Sequence, residues 1–374
     1  MQPIQMVDLQ RQYQKIKPEI DAAVMEVITS AQFINGSATK NFTKNLAAYL
    51  HVKHVIPCAN GTDALQIALM ALDLQPGDEV ITCPFTFVAT AEVIALLRLK
   101  PVFVDANPCT FTINEYLLEQ AITPRTRCIL PVHLFGQAAN MEAIMKIAAK
   151  HNLVVIEDNA QAIGADFTFS DGKKQKVGTI GTIGCTSFFP SKNLGAYGDG
   201  GAIFTNDDAL AEKMNVICNH GSKVRYYHDE IGVNSRLDSI QAAILDIKLQ
   251  HLDEYCIARQ RAAKFYSDHL KDIFGITVPK MAKYSSHVFH QYTLLVETGR
   301  DELRKALEAD GIPAMIYYPV PLHLQKAYIG DGYKMGDFPV SEDLATKVLS
   351  LPMHTELDEA TLTFIVEKIK KAVG

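Results

Sequence analysis

The chain of 374 residues has no C-x-x-C spacing among its seven cysteines (Cys58, Cys83, Cys109, Cys128, Cys185, Cys218 and Cys256), and seven is an odd count. Neither a secreted disulfide framework nor a zinc site is supported by that spacing. No run of about 18 apolar residues is present, so membrane insertion is not expected. The opening stretch MQPIQMVDLQRQYQ has no basic segment followed by an apolar one. It does not read as a secretory signal, and the expected compartment is the reducing cytoplasm. Basic residues are not in excess: 36 Lys and Arg stand against 42 Asp and Glu, for a net charge of -6. A nucleic-acid binder usually shows a basic face, so none is expected here. Gly178, Gly181 and Gly184 are spaced G-x-x-G-x-x-G with no helical pattern behind them, which is not the dinucleotide-binding spacing. The P-loop and G-x-S-x-G patterns are missing as well. His51 with His54 and His287 with His290 are i,i+3 pairs without a Cys or carboxylate cluster, and they read as surface or core histidines, not metal ligands.

What is present is ordinary globular composition, 48% hydrophobic and 21% charged, with ample material for a core. At roughly 150 residues per domain, two domains are expected. Short apolar runs occur at His54 to Ala59, Glu79 to Cys83, Pro101 to Asp105, Cys128 to Leu134, Leu153 to Asp158, Cys185 to Phe189 and Ala202 to Thr205. Helix-length stretches such as Ala64 to Leu74, Val88 to Leu99 and Met141 to Lys150 separate the first five. That alternation predicts an α/β fold with a mostly parallel sheet covered on both faces. Only the glycine-rich Pro190 to Gly201 separates the last two runs, so that pair is expected to be antiparallel. Asp166 to Gly184 reads as a surface hairpin or loop, and Leu237 to about Leu270 as one long helical pattern. Beyond it, strands at Tyr292 to Val296 and Ala314 to Tyr318 alternate with helices at Asp301 to Asp310, Ser341 to Leu349 and Asp358 to Ala372. The expected division is a large domain over 1–250 and a small α+β domain over 251–374.

Ligands of open α/β sheets bind beyond the carboxyl ends of the strands. There the fifth run ends in Asp158, with Gln161 shortly after it, and SFFPSKNLGAYGDGGA carries Ser187 and Lys192 around a glycine-rich turn. Taken singly, Asp158 is a common strand-end cap and Lys192 a solvated turn lysine. The segment CANGTDALQ runs from a strand into an apolar helix, whose start at Gly61, Thr62 and Asp63 can hold a phosphate, or Asn60 can be a plain N-cap. Phe87, in PFTFVAT, is a core residue or a stacking surface for a planar ring. Together a phosphate cradle, a flat aromatic, an acid for a ring nitrogen and a lysine that can form an imine are what pyridoxal phosphate requires.

The ordered blocks NGTDALQIAL, PFTFVATAE, VIEDNAQAIGA, TSFFPSKNLGAYGDGGAIFTND and VNSRLDSIQAAIL closely resemble the DegT/DnrJ/EryC1/StrS family of sugar-nucleotide aminotransferases, over essentially the whole chain. The resemblance implies the aspartate-aminotransferase fold (fold type I), with a large seven-stranded sheet domain, and a homodimer with shared active sites. It implies that Lys192 carries pyridoxal phosphate covalently and Asp158 faces the ring nitrogen. Gln161 then lies against the cofactor, Phe87 stacks on it, and Thr62 and Asp63 bind the phosphate by N–H and Ser187 by its hydroxyl. Asn234 would reach the phosphate from the other subunit. Arg236, Tyr317, Tyr318 and His323 are the implied substrate contacts, with Tyr317 standing where similar chains carry histidine. The amino donor implied is glutamate, released as 2-oxoglutarate. Among family members the similarity is greatest to those aminating C3 of UDP-2-acetamido-2-deoxy-3-keto-glucuronate for surface polysaccharide. Amination of a dTDP-linked 3-keto or 4-keto 6-deoxyhexose, or a regulator that binds without turnover, are the alternatives. The basic and aromatic stretch His220, Lys223, Arg225 and Tyr226 is either a nucleotide-diphosphate contact or a solvated loop.

Overall fold

A computed structural model describes residues 3–328 and 332–373. Its strands are β1 (His54–Cys58), β2 (Glu79–Thr82), β3 (Lys100–Phe103), β4 (Thr126–Ile129), β5 (Val154–Asp158), β6 (Asp166–Thr168), β7 (Lys174–Lys176), β8 (Ile183–Ser187), β9 (Gly201–Thr205), β10 (Ile276–Thr277), β11 (Tyr292–Val296) and β12 (Val348–Leu351). Seven of them form one sheet in the order β1-β9-β8-β5-β4-β2-β3. The neighbours from β8 across to β3 are parallel, while β9 runs antiparallel to both β1 and β8. The reversal has the cause expected from the sequence: the β8–β9 connection is too short to return the chain to the other end of the sheet.

Both faces of this sheet are covered, so its strands are apolar along their length. Val80 packs with Ile56, Ile156, Ile183 and Ile203 on one side, while Ile81, Val155, Ala202 and Phe204 face the other core with Phe42 and Leu46. The helix Gly61–Ala71 buries Ala64, Leu65, Ile67, Ala68, Leu69 and Ala71, and Asn60 caps it by accepting the Asp63 N–H at 2.8 Å. The hairpin β6–β7 lies within the segment read as a hairpin or loop.

A second sheet, β10-β11-β12, is antiparallel throughout. Its core draws on the helices Leu252–Leu270, Arg300–Ala309 and Glu359–Val373. The last of these buries Leu362, Ile365, Val366 and Ile369, a helical i, i+3, i+4, i+7 stripe. The chain start joins the same region, with Ile4 against this core and the Met6 carbonyl accepting the Met353 N–H at 3.1 Å.

Three expectations are corrected. The pattern Leu237 to Leu270 is two helices, Ser239–Gln250 and Leu252–Leu270, with His251 as the C-cap of one and N-cap of the other. The helix expected over Ser341 to Leu349 is Pro339–Lys347, because Val348 and Leu349 pair with Leu295 and Leu294 as β12. Pairing and burial override helical spacing there. Ala314 to Tyr318 is not a strand: Met315 makes an isolated antiparallel bridge to Ser350, and Pro313 and Pro319, which have no N–H to give a ladder, bracket the segment.

Asp105, just past β3, ties the two halves of the chain together. Its Oδ1 accepts the Ser341 N–H at 2.9 Å and the Ser341 hydroxyl at 2.6 Å, and its Oδ2 accepts the Val340 N–H at 2.9 Å. Truncating the carboxylate strands buried donors, so Asp105→Ala is expected to lower unfolding stability by about 3 kcal/mol. Asp105→Asn, which keeps one acceptor, is expected to lose less. Urea denaturation of both variants checks the order.

Candidate active site

The carboxyl ends of β5 and β8, the start of the helix Gly61–Ala71 and the segment around Tyr317 enclose a cavity of about 400 Å³. Gly61, Thr62, Phe87, Asp158, Gln161, Ser187, Lys192, Tyr317 and Tyr318 all line it. Period-2 alternation along β5 makes this possible. Glu157 points away from the cavity and accepts N–H groups from Gly178 (2.9 Å), Ile180 (2.6 Å) and Gly181 (2.5 Å), with His133 Nε2 at 2.8 Å. Asp158, one residue on, faces the opposite way and is buried on the cavity wall.

Asp158 Oδ2 accepts the Thr90 hydroxyl at 2.9 Å and Oδ1 the Ala160 N–H at 3.1 Å. Burial raises its pKa above the ordinary carboxylate value, against the pull of these bonds and of the Lys192 and His133 charges. Burial lowers the Lys192 amine from 10.5 to about 8, with the Asp158 charge working in the opposite sense. The Lys192 amine is therefore held where it exchanges a proton easily near neutral pH.

At the other wall, Gly61 opens its helix against Ser187, where a Cβ would come 2.6 Å from the serine Cβ. The first-turn N–H groups of Gly61 and Thr62 have no intrahelical acceptors, and with the Ser187 hydroxyl they suit a phosphate. Phe87, 53% exposed, offers its ring to the cavity with Tyr318 6.2 Å away. Gln161 is fixed at both ends of its amide: Oε1 accepts the Phe135 N–H at 2.7 Å and Nε2 donates to the Tyr318 hydroxyl at 3.1 Å. Burial keeps the Tyr318 phenol protonated, and the Tyr317 phenol is shifted in the same direction.

Four of the expected residues lie elsewhere. Asp63 has its N–H taken by Asn60, and its carboxylate accepts the Ser235 hydroxyl at 2.6 Å, so it stabilises the helix start from behind instead of presenting an N–H to a phosphate. His323 is buried against Phe338, with Nε2 3.0 Å from Glu342 Oε1, and does not line the cavity. Asn234 and Arg236 are not on this chain's cavity wall either. Arg236 bonds the Asn234 side chain and donates to Asn219 Oδ1 at 2.7 Å. The cavity also contains Thr86, Phe189, Ser191, Asp199, His290 and Gln291, which sequence reading passed over. Phe189 and Ser191 sit within SFFPSKNLG and could have been found there. His290, read from the sequence with His287 as a surface or core histidine, is buried on the wall.

An open α/β sheet whose strand ends bring a lysine, a buried acid, a phosphate cradle and a flat aromatic into one cavity defines a pyridoxal-phosphate-dependent aminotransferase of fold type I. The chain belongs to the DegT/DnrJ/EryC1/StrS aminotransferase family, which matches residues 14–370. It is 51% identical over 98% of its length to the "Pleiotropic regulatory protein" of Geobacillus stearothermophilus, covering 97% of that protein. It is 47% identical to the UDP-2-acetamido-2-deoxy-3-oxo-D-glucuronate aminotransferase of Pseudomonas aeruginosa, over 97% of this chain and 98% of that one. The crystal structure of S. venezuelae DesV in complex with a ketimine intermediate superposes with a TM-score of 0.95 at 38% identity, over 99% of this chain and 98% of that chain. Membership in a family of aminotransferases displaces the reading as a regulator without turnover.

The Lys192 shift predicts a stability signature in the cofactor-free protein. Its folded pKa of about 8 lies below the ordinary 10.5, so between those values the unfolded chain binds more protons and stability rises with pH. The penalty for burying the charged amine is fully present below pH 8. Lys192→Met is therefore expected to be more stable than the native apoprotein at pH 6–7, by roughly 1 to 3 kcal/mol. The difference should shrink towards pH 10. Urea midpoints across that range check the sign.

Proposed function

We propose that the protein transfers the amino group of glutamate to the C3 ketone of UDP-2-acetamido-2-deoxy-3-keto-D-glucuronate, in surface polysaccharide biosynthesis. In this reading it works in the cytoplasm as a homodimer whose subunits share their active sites. The observation that carries amino transfer is the cavity pairing of Lys192, an amine held near neutrality, with the buried Asp158. The sugar is supported by the substrate named for the 47% identical Pseudomonas aeruginosa relative. Consistent with shared sites, Lys192 is the sole lysine or arginine among the described residues lining the cavity, a poor match for a substrate bearing a diphosphate and a carboxylate. Arg236 is half-buried and held in place by Asn234 and Asn219, so a second copy can present it to the C6 carboxylate, with the exposed Asn234 beside the phosphate. No helix among the described residues is long and apolar enough to cross a membrane.

Pyridoxal phosphate supplies an aldehyde carbon that takes up an amine and a pyridinium ring that draws electrons from the carbon next to it. The rest is done by the chain. Asp158, its carboxylate oriented by Thr90 and Ala160, would hold the proton on the ring nitrogen. The Lys192 amine would serve as general base for the proton on the donor's Cα and then, carrying that proton, as general acid. Phe87 would offer its face to the ring, and Gln161 fixes the hydroxyl of the neighbouring Tyr318. For the sugar ketone the same amine would act in the opposite order, as acid and then base.

Lys192→Ala is expected to abolish turnover, and Asp158→Asn to slow it by roughly 10²- to 10⁴-fold. Steady-state transamination by Lys192→Ala, or an unchanged rate in Asp158→Asn, contradicts those roles. The substrate is tested by supplying glutamate with the UDP-linked 3-keto-uronate, and with dTDP-linked 3-keto and 4-keto 6-deoxy sugars, while following 2-oxoglutarate. The uronate is expected to be turned over fastest. A dTDP-sugar that matches or outpaces it moves the assignment to that class.

A further inference from the structure

The turn that carries Lys192 joins β8 to β9 and is held tightly. The Lys192 N–H donates to the Phe189 carbonyl at 2.8 Å, and the Ala196 N–H to the Phe188 carbonyl at 2.8 Å. At Gly195 a Cβ would come 2.3 Å from the Pro190 carbonyl oxygen, so the turn closes on itself there with no space for a side chain. The Gly195 carbonyl is turned towards the helix Ser239–Gln250, where it accepts a hydrogen bond of 2.5 Å from Lys248 Nζ. Seven residues earlier, two turns along the same helix face, Gln241 accepts the Tyr197 N–H at 2.8 Å and donates back to the Tyr197 carbonyl at 3.5 Å.

Lys248 is 1% exposed. Its amine lies 5.2 Å from the centre of the Tyr197 ring. The charged group facing it is Arg259, from the helix Leu252–Leu270, and burial together with that like charge lowers its pKa to about 7. Arg259 is itself buried and spends its guanidinium on the carbonyls of Phe289, His290 and Met353. A buried amine facing a cation is costly, and methionine would fill the same volume without that cost. What methionine cannot do is donate to Gly195.

We propose that Lys248 is a positioning residue for transamination: its hydrogen bond to the Gly195 carbonyl fixes the turn that aims Lys192 into the cavity, with Gln241 as the second grip of the same helix face. Without that donor the Gly195 carbonyl is left buried and unpaired, and the turn relaxes towards water. In the cofactor-free protein the Lys192 amine is then better solvated, and its pKa climbs from about 8 back towards 10.5, while in the holoenzyme the imine it forms is left less firmly placed. The proposal rests on the reading of Lys192 as the amine that holds the cofactor.

The test compares K248M with K248Q, which keeps an N–H donor on a side chain one bond shorter. Each is measured as holoenzyme for cofactor dissociation, for the pH midpoint of the cofactor's visible absorption band and for melting temperature. K248M is expected to release the cofactor about tenfold more readily and to shift the spectral midpoint, while K248Q stays within about threefold of native. If K248M does not fold, Q241L takes its place and is expected to move the same two readouts. K248M and K248Q behaving alike, or cofactor affinity and spectral midpoint unmoved in the donor-free variant, overturns the proposal. Borohydride reduction and peptide mapping of the native holoenzyme separates the two readings. Lys192 labelled together with indistinguishable variants removes the role of Lys248 alone, whereas Lys192 unlabelled removes the premise as well.

Discussion

Removal of water from two opposite charges at one cavity wall is the constraint on which the site depends. Desolvation disfavours the charged form of each group, so the Asp158 carboxyl rises and the Lys192 amine falls, and their attraction recovers part of that loss. Among the described residues neither is paired off in a close salt bridge that would lock its charge. Asp158 is instead held by Thr90 and the Ala160 N–H, neutral donors that orient a carboxylate while leaving it able to meet a cationic ring. Glu157 shows the contrast within a single strand. One residue away and on the other face, it accepts three backbone N–H groups and sits against His133, an arrangement that commits its oxygens to the fold. The alternation of β5 keeps structural and chemical carboxylates apart.

The two walls of the cavity come from chain segments that the sheet brings together. β8 delivers Ser187 to the start of the helix Gly61–Ala71 and then enters the turn with Lys192. Reversal of β9 returns that turn to the sheet beside β1, so the lysine and the phosphate cradle are both anchored to strands that hydrogen-bond the same neighbour. From outside the sheet, the helix Ser239–Gln250 presses on the turn, and the residues just before that helix, Asn234 to Arg236, lie behind Asp63. Ser235 joins the two by donating to Asp63 while accepting the Ala59 N–H.

The parallel sheet is legible because buried strands must be apolar along their whole length, and stretches long enough to cross back as helices separate the first five apolar runs. The candidate site was legible for a related reason: polar residues ending such runs, like Asp158, and glycine-rich turns, like that of Lys192, stand out against their surroundings. The failures are tertiary in origin. Ala314 to Tyr318 has strand-like composition, but prolines on either side deny it a ladder. Val348 and Leu349 continue a helical pattern in sequence and yet complete a sheet, because β11 offers them an edge. Asp63 follows Thr62 in the helix start, but the side chain of Asn60 already takes its N–H, and composition does not say which donors a cap consumes. His323 and His290 look alike in sequence. Glu342 and Phe338 claim the first, and the second borders the cavity.

The balance of charge around the cavity connects the catalytic chemistry to the proposed assembly. A second arginine or lysine beside Lys192 would lower its pKa further and compete with it for Asp158, so a cavity built around one amine is best kept poor in other fixed cations. A substrate with a nucleotide diphosphate nonetheless needs cations near its phosphates. Carrying them on a separate surface, delivered only when two copies meet, satisfies both demands. Arg236, proposed for the C6 carboxylate, fits that arrangement: half-buried, oriented by the side-chain amide oxygens of Asn219 and Asn234, and without a carboxylate among its hydrogen-bond partners in the described residues. Amide acceptors orient a guanidinium without neutralising it, so its full charge stays available to an anion, which a carboxylate partner would already have spent.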